Sequence, residues 1–125
     1  MAKSILICDD AAFMRMMIKD ILVKNGYNIA GEAENGLKAI DKYMETKPDL
    51  VMMDITMPEM DGIETTKQIR KLDDLKIAEL PIIALTAGVS KEERENCFKA
   101  GMNDFLSKPI NKNELFEIIE KYLKH

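Results

Sequence analysis

Short, unbroken apolar runs alternate along this chain with longer stretches in which apolar residues recur at helical spacing. Unbroken runs of this length are typical of strands that are buried on both faces of a parallel sheet. The pattern predicts strands at Ser4–Cys8, Tyr27–Ala33, Leu50–Asp54, Pro81–Thr86 and Asp104–Ser107. The second run is weaker and contains a glycine, which favours a position at the edge of the sheet.

A helical stretch follows each predicted strand. The first helix is expected at about Ala11 to Asn25, the second ends before Pro48, and the third covers Ile63–Lys71. The residues expected to point inward are Met14, Met17, Ile18, Ile21 and Leu22 in the first helix, Ala39, Ile40, Tyr43 and Met44 in the second, and Leu115, Ile118, Ile119 and Tyr122 in the last.

Capping residues mark the ends of the last two helices. Ser90 followed by Glu93 is a capping box that starts the fourth helix, and Gly101 ends it. Asn111 and Glu114 open the fifth helix in the same way. We expect the charged segment Leu72 to Glu79, between the third helix and the fourth strand, to be a surface connection.

Strict alternation of strands and helices predicts an α/β fold with a parallel sheet, right-handed crossovers and helices on both faces. Five strands with a weak second strand fit the doubly wound order 2-1-3-4-5, which we take from precedent. The chain of 125 residues has room for one domain, and we expect residues 1–125 to form it.

Polar side chains stand where four of the predicted strands end. They are Asp9 and Asp10 after the first strand, Asp54 after the third, Thr86 after the fourth and Lys108 after the fifth. In open α/β sheets, ligands bind outside the carboxyl ends of the strands, so these groups are expected at one site. Clustered carboxylates require a cation, and oxygen ligands suit Mg²⁺, which also takes phosphate oxygens.

The same residues can serve phosphoryl transfer. An aspartate can form an aspartyl phosphate, a lysine can neutralise phosphoryl oxygens, and a threonine hydroxyl can bond to one of them. Each residue also has a simpler interpretation: Asp10 as a helix cap, Thr86 as an ordinary strand end and Lys108 as a solvated charge. Their convergence on one edge of the sheet favours the chemical interpretation.

Composition narrows the possible partners and the location. The chain carries 18 Lys plus Arg against 22 Asp plus Glu, a net charge of -4, and has no basic run. This balance argues against broad binding to nucleic acid or to an anionic membrane surface. The absence of an apolar signal segment predicts a cytoplasmic protein. Cys8 and Cys97 are expected to be reduced core thiols.

These motifs give the whole chain a resemblance to the receiver domains of two-component response regulators, the CheY-like family. The matching motifs are Asp9-Asp10, Asp54 with Met57-Pro58 and Asp61-Gly62, Thr86-Ala87, and Lys108-Pro109. The resemblance implies the doubly wound fold given above. It also implies a signalling protein that catalyses only its own phosphorylation and dephosphorylation.

The resemblance further implies a role for each site residue. Asp54 is the phosphoacceptor, and Asp10 and Asp54 bind Mg²⁺ directly together with the main-chain carbonyl of Thr56. Asp9 contributes to the metal site mainly through water. Lys108 pairs with the phosphoryl group.

In the same family pattern Thr86 bonds to the phosphoryl group and Phe105 occupies the position of a switch aromatic. The bond between Lys108 and Pro109 is expected to be cis. The residues two places after the phosphoacceptor and after the threonine, here Thr56 and Gly88, are expected to tune the lifetime of the phosphoryl group.

Two segments resemble different branches of the family. Asp9 to Lys19 is similar to stand-alone chemotaxis receivers, whereas Leu80 to Ile110 is similar to receivers of hybrid histidine kinases. The first interpretation is therefore a chemotaxis-type receiver that signals to a protein partner. The alternatives are a phosphorelay intermediate or a receiver cut from a hybrid kinase, and, in another class, a Mg²⁺-dependent phosphatase of small molecules.

The resemblance also implies the partners. The donor would be a histidine kinase or a histidine phosphotransfer protein, and output would use the face of the fourth helix, fifth strand and fifth helix; we expect a monomer. On the first helix, Met16 is predicted to face solvent and Phe13 to flank the buried stripe near Asp10, which leaves apolar side chains exposed. With Arg15 and Lys19 at the rim, they form a candidate docking patch for the donor.

Overall fold

The computed structural model describes residues 2–72, 77–88 and 90–123 of the chain. Strands and helices alternate along these residues. The strands are β1 (Ser4–Cys8), β2 (Asn28–Ala33), β3 (Leu50–Asp54), β4 (Ile82–Thr86) and β5 (Asp104–Ser107). The helices are α1 (Ala12–Lys24), α2 (Gly36–Thr46), α3 (Gly62–Arg70), α4 (Lys91–Ala100) and α5 (Lys112–Leu123), with a short 3₁₀ turn at Ile77–Glu79. The predicted elements are confirmed within one or two residues at their ends.

The strands form one parallel sheet in the order β2-β1-β3-β4-β5 across the described residues. The predicted fold and strand order are therefore confirmed, and β2 lies at an edge. Its register against β1 shifts between the pairs Ile5–Ile29 and Leu6–Gly31, an irregularity that fits a weak edge strand. Every residue of β3 and β4 is buried. The unbroken apolar runs thus follow from burial on both faces.

The two faces of the sheet carry separate hydrophobic cores. Alternate residues of each strand point to opposite faces, so Leu6 and Cys8 join one core while Ile5 and Ile7 join the other. The first core is covered by buried residues of α2, α3 and α4, namely Ala39, Tyr43, Ile69 and Cys97. The second is covered by buried residues of α1 and α5, namely Ile18, Leu22, Leu115, Ile119 and Leu123.

Two helical faces differ in detail from the prediction. In α1, Ile18 and Leu22 are fully buried, while Met14 and Ile21 pack at the margin of the core. In α2 the prediction for Met44 was wrong, because its side chain is 54% exposed. Ala39 and Tyr43 are buried against the sheet and Ile40 packs at the margin of the core, so the inward face of α2 is formed without Met44.

The segment between α3 and β4 was predicted to be a surface connection, and this prediction was wrong for part of it. Ile77 and Leu80 are buried in the core on the α3 side. Arg70, at the end of α3, donates to the carbonyl oxygen of Ile77 at 2.6 Å and to that of Gly101 at 2.7 Å. These bonds hold the connection against the fold. Residues 73–76 of the predicted connection lie outside the described residues.

No helix among the described residues has the length and apolar character that crossing a bilayer requires.

Candidate functional site

The carboxyl ends of the strands bring the predicted polar groups together. Asp9, Asp10 and Asp54 each offer a carboxylate oxygen, and these oxygens lie within 4.8 Å of one another. Asp9 and Asp54 are buried, whereas Asp10 is exposed. The cluster is therefore set into the sheet edge but open to solvent on the side of Asp10.

Asp54 is held at the end of β3 by both of its oxygens. Its Oδ1 accepts a hydrogen bond from the backbone N–H of Thr56 at 3.0 Å, and its Oδ2 accepts one from Lys108 Nζ at 3.0 Å. The loop that follows turns tightly back on β3. A Cβ atom at Gly62 would lie 2.3 Å from the carbonyl oxygen of Asp54, so this position requires glycine.

Asp9 is placed by the turn into α1. Its Oδ1 accepts a hydrogen bond from the backbone N–H of Ala11 at 2.9 Å. The N-cap of α1 is Ala11, with no side-chain cap, so the simpler interpretation of Asp10 as the helix cap was wrong. Within the described residues, Asp9 Oδ2 is a buried oxygen at which no hydrogen bond is directed.

Lys108 enters the site from the end of β5. Its Nζ lies 3.0 Å from Asp54 Oδ2 and 3.0 Å from Asp9 Oδ2, the second contact being an ion pair without hydrogen-bond alignment. Its backbone N–H donates to the carbonyl oxygen of Thr86 at 2.7 Å. The bond to Pro109 is cis, as expected. The structure thus joins the strand-end residues of β1, β3, β4 and β5.

The electrostatics of the site favour an added cation. Burial raises the pKa of Asp54, and the neighbouring charge of Asp9 adds to this, against the opposing effects of the Thr56 N–H and Lys108. Burial lowers the pKa of Lys108, but the hydrogen bond to Asp54 and the negative charges of Asp54 and Asp9 together outweigh burial and raise it above its ordinary value. One ammonium group therefore compensates two buried carboxylates while Asp10 adds a third acid nearby.

The residues present fit a Mg²⁺ ion. All three acidic side chains offer hard oxygen atoms. No hydrogen bond is directed at the buried Asp9 Oδ2, so a cation or one of its waters could contact this oxygen. The exposed position of Asp10 leaves room for the waters that Mg²⁺ retains. The donor set is therefore suited to a magnesium site.

Thr86, at the end of β4, and Phe105, in β5, are both in contact with α4. The Thr86 hydroxyl lies within hydrogen-bonding distance of two acceptors, Glu93 Oε1 at 2.6 Å and the Gly88 carbonyl oxygen. The guanidinium of Arg94 lies 5.1 Å from the centre of the Phe105 ring. We had expected the Glu93 carboxylate to complete the capping box. Ser90 does accept from the Glu93 N–H at 3.0 Å, but the Glu93 side chain turns to Thr86.

The candidate docking patch on α1 is partly as predicted. Phe13 is 69% exposed and Met16 is 59% exposed, which confirms that both face solvent. Arg15, however, is turned into the fold, where it donates to the Asp9 carbonyl oxygen and to Glu32. Lys19 also pairs with Glu32, at 3.3 Å, but its side chain is 49% exposed against 15% for Arg15, so Lys19 is the better candidate for the rim charge.

Comparisons with known proteins agree with this geometry. Residues 5–120 match the family described as "Response regulator receiver domain". The chemotaxis protein CheY of Bacillus subtilis is 52% identical over 123 residues, covering 98% of this chain and 99% of the relative. The chemotaxis protein CheY of Thermotoga maritima is 48% identical over 124 residues, covering 99% of this chain and all of the relative, 100%.

Solved structures show the same fold. The CheX-CheY-BeF3-Mg²⁺ complex from Borrelia burgdorferi aligns with a TM-score of 0.89 at 27% identity, over 98% of this chain and 90% of that one. The receiver domain of the sensor histidine kinase PA1611 from Pseudomonas aeruginosa, with magnesium in its active-site cleft, aligns at 0.88 and 32% identity over 100% of both chains. The chain belongs to the response regulator receiver family and is a CheY-type signalling phosphoacceptor.

Proposed function

We propose that Asp54 is the phosphoacceptor and takes a phosphoryl group from a phosphohistidine on a donor protein. The supporting observation is the position of its carboxylate, which lies at the end of the central strand with Lys108 Nζ at 3.0 Å and two further acids around it. In the reaction a carboxylate oxygen of Asp54 forms the new bond to phosphorus, and the bond between phosphorus and the donor imidazole breaks. The donor histidine leaves with the bonding electron pair.

The neighbouring side chains position and neutralise the transferred group. Lys108 moves its ammonium charge from the carboxylate of Asp54 to a phosphoryl oxygen, and the Thr86 hydroxyl donates a hydrogen bond to another. We propose that Asp10, Asp54 and the carbonyl oxygen of Thr56 hold Mg²⁺ directly and that Asp9 acts mainly through water. Bound Mg²⁺ supplies positive charge that offsets the charge of the acids and of the phosphoryl oxygens.

The same site would return the protein to its unphosphorylated form. Attack of water on phosphorus breaks the bond to Asp54, releases inorganic phosphate and restores the carboxylate. We propose that catalysis by this chain is limited to these two steps on its own aspartate. A phosphatase of small molecules also needs a second acid for the leaving group and a segment that encloses the substrate.

Intact mass after incubation with acetyl phosphate and Mg²⁺ tests this assignment. The wild type is expected to gain the mass of one phosphoryl group, and Asp54→Asn none, while the exposed control Asp41→Asn should be labelled like the wild type. Labelling of Asp54→Asn at the wild-type rate would refute the assignment. Release of phosphate with turnover on an added phosphomonoester would favour the phosphatase alternative.

We propose that the donor docks on the α1 patch of Phe13 and Met16, with Lys19 at the rim. Met16→Glu is expected to slow phosphotransfer from a protein donor and to leave labelling by acetyl phosphate unchanged, since the small donor needs no docking surface. Met44→Glu is a matched control, because Met44 is 54% exposed on α2. Equal slowing with both donors, or the same slowing by Met44→Glu, would contradict this role.

Output is proposed to use the face formed by α4, β5 and α5, with Phe105 as the switch residue. Phe105→Ala is then expected to leave both labelling reactions intact and to weaken binding of the output partner. A phosphorelay intermediate differs in one respect: its phosphoryl group passes onward to a second histidine protein. A single domain spanning residues 1–125, a monomeric state and a cytoplasmic location remain predictions.

A further inference from the structure

Thr86 is already bonded before any phosphoryl group arrives. Its hydroxyl carries a single proton and has two acceptors within hydrogen-bonding distance, the Gly88 carbonyl oxygen and Glu93 Oε1. The carboxylate is charged and therefore the stronger acceptor, and it lies 2.6 Å from the hydroxyl oxygen. The length is that of a charge-assisted O–H···O⁻ bond, which is about twice as strong as a neutral one. Thr86 is 3% exposed, so water does not easily replace this partner.

A phosphoryl oxygen on Asp54 would need the same proton. Because a hydroxyl donates only one strong hydrogen bond, Thr86 cannot serve the phosphoryl group and Glu93 at once. Glu93 and Thr56 line the same groove of about 330 Å³, which places the Glu93 carboxylate beside the loop that follows Asp54. A phosphoryl group at Asp54 would add about 1.5 to 2 negative charges near this carboxylate, and like charges repel.

Arg94, which follows Glu93 on α4, contacts the ring of Phe105. Arg94 lies 5.1 Å from the centre of the Phe105 ring, and the Phe98 ring packs edge-on against Phe105 at 6.4 Å. One turn of α4 therefore contacts both residues that the proposed output mechanism moves. Its own burial is slight, since Cys97 and Ala100 are the buried residues of this helix.

We propose that Glu93 is a positioning residue that holds Thr86 in the resting state and competes with the phosphoryl group for its hydroxyl. This proposal rests on the proposed function of Asp54. On phosphorylation the Thr86 proton leaves the Glu93 carboxylate for a phosphoryl oxygen, no covalent bond changes, and Glu93 turns to solvent. The first turn of α4, which contacts Phe105, thereby loses its bond to β4. Glu93 thus sets how strongly the resting state is favoured.

The test is the affinity for BeF₃⁻ in the presence of Mg²⁺. An NMR titration that monitors the amide signals of Thr86 and Gly88 measures this affinity. Glu93→Ala is expected to bind BeF₃⁻ about tenfold more tightly than the wild type, because no bond to Glu93 has to be broken. Glu93→Gln keeps a weaker, neutral acceptor and should fall between the two. Glu92→Ala is the matched control, since it removes the same charge from the same helical turn.

Repeating the titrations in a Thr86→Val background separates a hydrogen bond from simple charge repulsion. If Glu93 acts through Thr86, Glu93→Ala should change the affinity less than about threefold there. An equal gain in both backgrounds, an equal gain in Glu92→Ala, or no gain in Glu93→Ala and Glu93→Gln would overturn the proposal. A wild type that shows no BeF₃⁻ binding dependent on Asp54 would overturn the proposed function as well.

Discussion

The two sides of the candidate phosphorylation site are held in different ways. We call Asp9, Asp54 and Lys108 the acid side, and Thr86 and Phe105 with the α4 residues that contact them the switch side. On the acid side Asp9 and Asp54 are buried at the ends of fully buried strand segments, and Lys108 bridges both carboxylates at 3.0 Å. On the switch side the contacts run to side chains of α4, a helix with few buried residues.

The difference separates chemistry from signalling. Phosphoryl transfer requires groups fixed within a fraction of an ångström, and strands packed on both faces provide that. A conformational signal requires an element whose rearrangement costs little, and a helix with little buried apolar surface is such an element. The acid side is therefore expected to resist rearrangement, and the switch side to rearrange at low cost. The following experiments compare the two sides.

The first comparison concerns charge pairing on the acid side. Lys108→Met leaves two buried carboxylates without their ammonium partner, so we expect the free energy of unfolding to fall by about 2 kcal/mol at neutral pH. Urea unfolding measures this, with Lys99→Met as an exposed control. The pKa of Lys108 in the folded protein is raised above its ordinary value of 10.5. The stability that its ion pairs give the wild type should therefore be complete at neutral pH and lost only as the pH rises through this raised pKa. Equal stability of the two variants would contradict the ion-pair role.

A second comparison measures core packing on the two sides. Ile7→Ala removes a fully buried side chain from β1 and should cost about 3 kcal/mol of unfolding free energy. Phe98→Ala truncates a side chain on α4 that is 47% exposed and should cost less than about 1 kcal/mol. Urea unfolding of both variants provides the measurement. If Phe98→Ala costs as much as Ile7→Ala, α4 is as firmly packed as β1 and the comparison fails.

The lifetime of the phosphoryl group should respond to Gly88. A Cβ atom there meets nothing within 4 Å, so larger residues fit without strain. Gly88→Glu is expected to change the dephosphorylation rate several-fold without removing phosphorylation, because its carboxylate can orient or exclude the attacking water. Gly88→Ala, which adds only a methyl group, is the matched control. Equal lifetimes for both variants and the wild type would count against this role.

The smallest effect concerns the two cysteines, one on each side. Burial raises the pKa of both thiols, and the charges of Asp9 at Cys8 and of Glu93 at Cys97 add to it, so both should react slowly in the native protein. Cys97 on α4 is expected to react before Cys8 on β1, through local opening of the helix. Mass spectrometry of the variants Cys8→Ala and Cys97→Ala with a thiol reagent compares the rates. Identical rates would indicate that both thiols are exposed only by global unfolding.

Much of the acid side could be predicted from sequence. An unbroken apolar run fixes where a buried strand ends, and the topology of a parallel sheet brings those ends together, so Asp54 and Lys108 could be placed at one site although 54 positions separate them. The sheet order itself came from precedent. Roles such as metal ligation came from the family resemblance and stay predictions.

The switch side was less predictable, for a physical reason. The bond between Thr86 and Glu93 depends on a rotamer and on the close approach of α4 to β4, neither of which periodicity specifies. The capping box correctly located the start of α4, but its carboxylate had two possible partners. The same holds for Arg15, which a helical wheel places at the surface and which Glu32 on β2 draws inward. Met44 shows the opposite error, because its apolar side chain was predicted to point inward but lies at the surface.

The contact between Lys108 and Asp54 also has a consequence for biosynthesis. Asp54 ends β3, but the ammonium group that neutralises it follows β5, which emerges from the ribosome only after four strands and four helices have been made. A growing chain therefore holds an acid pair whose partner does not yet exist. On the proposed function of Asp54, competence to accept a phosphoryl group arrives together with the completed sheet.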